Sequence, residues 1–174
     1  GIKLNNCSGS ISDNDITTTV GDWYVGIRTT FFDGGSQIRR NDIRAYATNG
    51  CNGIEVGNTQ STTGNMISNN MVYVNGTGDV WGLAVYNLWD MKIVHNSVLV
   101  ANGLPEQSFA FYHLSDFADG EDALVRNNLF ANNTGGLAYK ANRQQNIAFE
   151  DHNGLFTPGP VLSMVGPNAY EDLA

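Results

Sequence analysis

Charge of either sign is scarce in this chain. Asp, Glu, Lys and Arg together make up 15% of its 174 residues. Only nine are Lys or Arg, against seventeen acids, for a formal net charge of −8. Phosphate backbones are bound by clustered Lys and Arg, so this shortage argues against nucleic acid as a partner. It argues equally against anionic membrane surfaces. No run of about 18 apolar residues is present, so no membrane-inserted helix is expected. Cysteine is also rare: Cys7 and Cys51 fall at different repeat positions, and no disulfide is expected between them. Phosphate loops, Cys/His metal spacings and a Ser/His/Asp context are missing too. No leader pattern opens the sequence, which begins in mid-repeat. The chain is therefore expected to be one domain, a fragment or processed part of a longer protein.

What is present is a 41% hydrophobic chain whose polarity comes largely from Gly, Asn, Thr and Ser. That mixture suits many tight turns better than long solvated helices. An internal repeat organises it. Coils open with a small residue and an apolar pair: Gly1-Ile2-Lys3-Leu4, Gly26-Ile27-Arg28-Thr29, Gly53-Ile54-Glu55-Val56, Gly82-Leu83-Ala84-Val85, Ser108-Phe109-Ala110-Phe111 and Gly136-Leu137-Ala138-Tyr139. These openings are separated by 25, 27, 29, 26 and 28 residues, counting 1, 26, 53, 82, 108 and 136. A second signature follows each opening. It reads Ile11-Asn14-Ile16-Thr18, Ile38-Asn41-Ile43-Ala45, Ile67-Asn70-Val72-Val74, Ile93-Asn96-Val98-Val100 and Leu124-Asn127-Leu129-Ala131. The sixth copy keeps Asn153 and Leu155, with Glu150 in the apolar slot, read as a bulge or the start of fraying.

Period-two alternation within short segments predicts strands with one buried face. Repetition at a long fixed period means that no coil buries its face alone, so coils must stack. The expected fold is all-β: a right-handed parallel β-helix (a single-stranded β-solenoid) of about six coils. The Asn column is expected to form a ladder at a turn, with Asn in left-handed backbone, and Gly to form tight corners. An ordinary β-sandwich is the competing architecture, and five intact copies of a two-part signature argue against it.

These rows resemble the parallel β-helix repeats of the pectate-lyase-like superfamily. The stretch from Val125 through Lys140 to Glu150–Phe156 resembles the late coils of secreted bacterial members. The resemblance covers nearly the whole chain. It implies a secreted or cell-surface location and a polysaccharide partner, and it leaves activity open, because the superfamily holds lyases, hydrolases, epimerases and non-catalytic proteins. The superfamily's polygalacturonase-like and pectate-lyase-like signature stretches are missing here.

Outward residues of stacked coils form columns about 4.8 Å apart, a groove for a linear polymer. The position before the ladder Asn gives Asp13, Arg40, Asn69, His95 and Arg126, either a strip for carboxylated sugars or a solvated turn edge. Counting from the openings aligns Tyr86 with Tyr112, Asn87 with His113, Trp89 with Ser115 and Asp90 with Asp116, with Lys140 one coil on. Tyr86, Trp89 and Tyr112 are candidate sugar-stacking residues, unless they merely cover the sheet. In a lyase, His113 or Lys140 would abstract the proton, with His95 also in the site and Arg126 offsetting a uronate charge. In a hydrolase, Asp90 and Asp116 would be acid and base. Asp116, Asp119, Glu121 and Asp122 form an acidic loop that could hold Ca²⁺, the one cofactor expected, or could simply be solvated. The rival expectation is a non-catalytic structural or adhesive segment, in end-to-end contact with further coils or another chain.

Overall fold

The computed structural model describes residues 1–59, 64–116, 123–143 and 147–171. The first coil runs through β1 (Ile2–Cys7), β2 (Ser10–Ser12) and β3 (Asp15–Val20), and the second through β4 (Tyr24–Phe32), β5 (Gln37–Arg39) and β6 (Asp42–Ala47). The third holds β7 (Cys51–Gly57), β8 (Asn65–Ser68) and β9 (Met71–Asn75), and the fourth β10 (Val80–Tyr86), β11 (Met91–Val94) and β12 (Ser97–Asn102). The fifth holds β13 (Ser108–Leu114), β14 (Ala123–Arg126) and β15 (Leu129–Asn132), and the sixth β16 (Leu137–Ala141), β17 (Ile147–Asp151) and β18 (Gly154–Phe156). After these come β19 (Ser163–Val165) and β20 (Asn168–Tyr170).

The strands form three sheets, each taking one strand per coil. Sheet A stacks β1-β4-β7-β10-β13-β16-β19, sheet B stacks β2-β5-β8-β11-β14-β17, and sheet C stacks β3-β6-β9-β12-β15-β18. Neighbours in each stack are parallel, and among the described residues only β20 pairs antiparallel, with β19. The chain is thus an all-β parallel solenoid, as its repeat predicts.

The core consists of columns. Ile11, Ile38, Ile67, Ile93 and Val125 line sheet B, while Ile16, Ile43, Val72, Val98, Phe130 and Leu155 line sheet C. Ile27, Ile54, Leu83, Phe111 and Tyr139 line sheet A. Burying each Ile, Val or Leu of such a column stabilises by about 1.5–3 kcal/mol relative to exposure. In the fifth coil Phe111 stacks on Phe130 at 5.0 Å and on Tyr139 at 4.7 Å, joining sheets A and C.

Four details differ from the sequence expectation. First, the fifth ladder residue is Asn128, not Asn127: Asn96 Nδ2 donates to Asn128 Oδ1 at 3.0 Å. Burial decides this register, since Val125 is fully buried and pairs with Ile93, whereas Leu124 pairs with the exposed Lys92. Second, the ladder Asn is not the left-handed residue. The residue before it is: Asp13, Arg40, Asn69, His95, Asn127 and His152 all have φ between 52° and 61°. Third, the fifth and sixth coils align on Ala110 and Ala138 rather than on Ser108 and Gly136, because Leu83 pairs with Phe111 and Phe111 with Tyr139.

Fourth, Gly26, Gly53 and Gly82 lie within strands rather than at corners. A Cβ on Gly53 would sit 2.1 Å from Val72 Cγ1 and 2.6 Å from the Gly82 carbonyl oxygen. That position therefore points inward, as does the next residue, the buried Ile54. Two successive inward positions interrupt the alternation in sheet A, and Gly makes room for Val72. Both thiols are free, Cys7 and Cys51 standing level with Phe32 and Tyr24 respectively. Burial pushes the Cys51 thiol up to about 11. The β14–β17 pairing carries a bulge after Ala123, next to the slot of Glu150, whose side chain lies outside the description.

Candidate functional site

The interrupted alternation sets the outer face of sheet A. One outward column is Val25, Asn52, Trp81, Phe109 and Leu137. The next is Lys3, Arg28, Glu55, Ala84, Tyr112, Lys140 and Met164. A third carries Thr30, Gly57, Tyr86 and Leu114.

On this face aromatic rings from three coils, the second, fourth and fifth, come into one array. Trp23 meets Trp81 edge-on at 6.2 Å, and Trp81 meets Tyr112 at 5.4 Å. Tyr112 also touches Phe109 at 5.1 Å and Tyr86 at 6.2 Å. Lys140 Nζ lies 4.5 Å from the Phe109 ring centre and 5.5 Å from that of Tyr112. Such cation–π contacts are each worth about 0.5–2 kcal/mol, and here they hold the ammonium against the array.

Beside the rings lies a polar cluster. Arg28 Nη2 is 2.9 Å from Glu55 Oε1, and Asn52 Nδ2 donates to Glu55 Oε2 at 2.9 Å. Glu55 is only 9% exposed and Asn52 is fully buried. Burial and, behind it, the Glu55 charge raise the Tyr86 hydroxyl far above its ordinary range, so it stays protonated. Tyr112 is raised as well, by burial first and then by the Asp116 carboxylate. A groove of about 470 Å³, lined by Trp23 and Trp81, runs over this cluster.

The structure brings three of the predicted residues together: Tyr86, Tyr112 and Lys140. The pairing of Tyr112 with Lys140 is the register expected. Tyr86, however, pairs with Leu114, and Tyr112 with Ala84. His113 faces inward, level with Val85 and Ala141 and fully buried, so it does not share the surface of Tyr112 and Lys140.

Trp89 and Asp90 lie in the turn from sheet A to sheet B. There the Trp89 N–H donates to Thr59 Oγ1 at 2.6 Å, and Asp90 is left-handed with φ 44°. The Asp116 N–H donates to Asn87 Oδ1 at 2.8 Å, so Asp116 does not stack on Asp90 as expected. The reason is the two-residue shift in the fifth coil. His95 and Arg126 sit at the next corner, between sheets B and C, with sheet B between them and the aromatic array. Arg126 is level with Val94 rather than with His95.

Of the proposed cation ligands, Asp119, Glu121 and Asp122 lie outside the described residues. Among the described residues no group of three His, Cys, Asp or Glu side chains converges.

Sequence reasoning missed Trp23, Arg28, Asn52, Glu55, Trp81 and Phe109. The available signal was a large aromatic immediately before the small residue of the inward column, in Trp81-Gly82 and Phe109-Ala110. Strict alternation assigns Phe109 to the core instead. The chain matches no family model, no curated protein and no solved structure.

Proposed function

We propose that the protein recognises an extracellular polysaccharide along the outer face of sheet A. The observation that carries this reading is the continuous array of Trp23, Trp81, Phe109, Tyr112 and Tyr86, with Lys140 held against it. Sugar rings present apolar faces that bury against aromatic rings, and coils about 4.8 Å apart offer repeated contacts to a linear polymer. Lys140 supplies a cation for a uronate carboxylate, which favours an acidic glycan. The β-solenoid and its Asn ladder are compatible with the right-handed pectate-lyase-like type and with a secreted or surface location.

The acids and bases that chemistry on the bound polymer would need are dispersed over the surface. Of the residues predicted as acid or base, Lys140 lies on the aromatic face, while Asp90 and Asp116 belong to different levels of their corner. A non-catalytic adhesive role fits this scatter of acids and bases. The test is incubation of the protein with acidic and neutral polysaccharides, with and without Ca²⁺, following ultraviolet absorbance and reducing ends. Retarded migration in polysaccharide-containing gels, lost on Tyr112→Ala, is the expected result. A rise in absorbance and reducing ends abolished by Lys140→Ala would add a lyase, and reducing ends alone would add a hydrolase. Migration unaffected by every polymer would sink the recognition itself.

A further inference from the structure

The groove lined by Trp23 and Trp81 lies over coils two to four, apart from Lys140. Its chemistry differs from the rest of the face. Trp23 is 46% exposed, an indole left about half in water at the groove wall. The floor carries Asn52, whose Nδ2 is engaged by Glu55 while its Oδ1 has no partner among the described residues. A buried amide oxygen left open is unusual, because such groups are nearly always satisfied. Charge at the floor is balanced: the Glu55 carboxylate is taken up by Arg28, whose own side chain remains 44% exposed.

We infer that this groove binds an uncharged sugar unit, its ring against Trp81 and Trp23 and its hydroxyls on Asn52, Glu55 and Arg28. A hydroxyl both donates and accepts. It can therefore give a proton to the Asn52 or Glu55 oxygens and take one from the exposed guanidinium. The Arg28–Glu55 pair is neutral overall, so the groove holds no net counter-charge for a ligand ion, and burying one there would cost its hydration, whereas a hydroxyl is satisfied by both partners. The inference rests on the glycan reading and deepens it, because the polymer recognised then carries uncharged units about three coils from the unit at Lys140.

The test uses the full chain and gels containing, in turn, neutral polysaccharides (a glucan, a galactomannan, a xylan and an arabinogalactan) and polygalacturonate. At least one neutral polymer should retard the protein. Trp23→Ala, a change at an exposed side chain, should weaken that retardation at least tenfold, and Glu55→Gln should weaken it as well. Thermal unfolding of each variant checks that it remains folded. Retardation by polygalacturonate alone would overturn the uncharged-sugar assignment and leave glycan recognition standing. Retardation by a neutral polymer that survives Trp23→Ala and Glu55→Gln but is lost on Tyr112→Ala would overturn the groove and again leave recognition standing. No retardation by any polymer would overturn both.

Discussion

The corner between sheets B and C and the corner between sheets A and B turn the same chain in different ways. The first is always two residues long: 13–14, 40–41, 69–70, 95–96, 127–128 and 152–153. Each begins with a left-handed residue and ends with a ladder Asn. Successive ladder amides bond at 2.8 to 3.0 Å from Nδ2 to Oδ1, and the same Nδ2 reaches a carbonyl of an adjacent coil where that coil exists. The second corner spans 8–9, 33–36, 58–64, 87–90, 115–122 and 142–146, so its lengths differ from coil to coil. A left-handed column, Asn6, Phe31, Asn58 and Asn87, runs along the ends of the sheet A strands where they enter this corner, and among the described residues only the Asn58–Asn87 pair forms an amide ladder step there. Equal length permits stacking and burial of amides. Unequal length forbids it and leaves room for residues with other work.

The largest expected effect is therefore at the uniform corner. Asn70 is 1% exposed; its Nδ2 donates to the Ile38 carbonyl and Asn96 Oδ1, and its Oδ1 accepts from the backbone N–H and Nδ2 of Asn41. Asn70→Ala strands the Asn41 N–H and the Ile38 carbonyl away from water. At roughly 1–3 kcal/mol for each stranded group, the loss should be about 3–5 kcal/mol. For a chain of this size that lowers Tm by roughly 10 °C, readable by circular dichroism. A drop under about 2 °C would show that the ladder is decoration.

The same contrast explains what was legible in the sequence. The all-β parallel stacking follows from Ile, Asn and Val recurring at one spacing around each corner, because the uniform corner keeps that spacing constant. The one misassigned ladder residue lies in Asn127-Asn128, where two adjacent amides fit the pattern and only burial of Val125 chooses. The candidate site was legible only in part. Tyr112 and Lys140 could be paired because the distance between their coils was counted correctly. Asp90 and Asp116 could not, because the fifth coil comes into register two residues later than its Ser108 opening suggests. Trp81 and Phe109 escaped because two adjacent inward positions at Gly82 and Leu83, and at Ala110 and Phe111, reverse the facing of everything before them.

Asn87 tests the variable corner. It has φ 49°, bonds Asn58 through Nδ2, and accepts the Asp116 N–H on Oδ1, all partly exposed. Asn87→Gly keeps the left-handed backbone and removes only those bonds, so the expected loss is about 1 kcal/mol, or roughly 2–4 °C in Tm. A loss equal to that of Asn70→Ala would erase the difference between the corners.

Phe31 sharpens the comparison in the other direction. It occupies the same left-handed column at φ 53°, 39% exposed, where its neighbours in the stack are Asn6 and Asn58. A bulky residue pays about 1–2 kcal/mol in that conformation, and Asn pays less. Phe31→Asn should therefore raise stability by about 1 kcal/mol, seen as a higher urea midpoint with unchanged slope. A lower midpoint would mean that the Phe31 ring contributes more than its backbone costs.

The smallest effect is expected on the rim of the uniform corner, where Arg40 Nε and Nη2 donate to Asp13 Oδ1 and Oδ2 at 2.6 and 2.7 Å. The hydrogen bond from Arg40 holds the Asp13 carboxyl below its usual range. A carboxylate depressed in the folded state stabilises above its unfolded pKa, and that contribution disappears as pH falls through the folded value. Both side chains are about half exposed, so solvent and salt screen the pair. Asp13→Asn retains a residue at ease with φ 61° and removes only the charge. The urea midpoint of the variant should trail the unsubstituted chain slightly at about pH 6 in low salt, and the gap should narrow as pH falls below the ordinary Asp value of about 3.9, and in high salt. A gap that persists at low pH would place the stabilisation in the shape of the turn, not in its ion pair, and would make the buried amides and the left-handed column the whole basis of this corner.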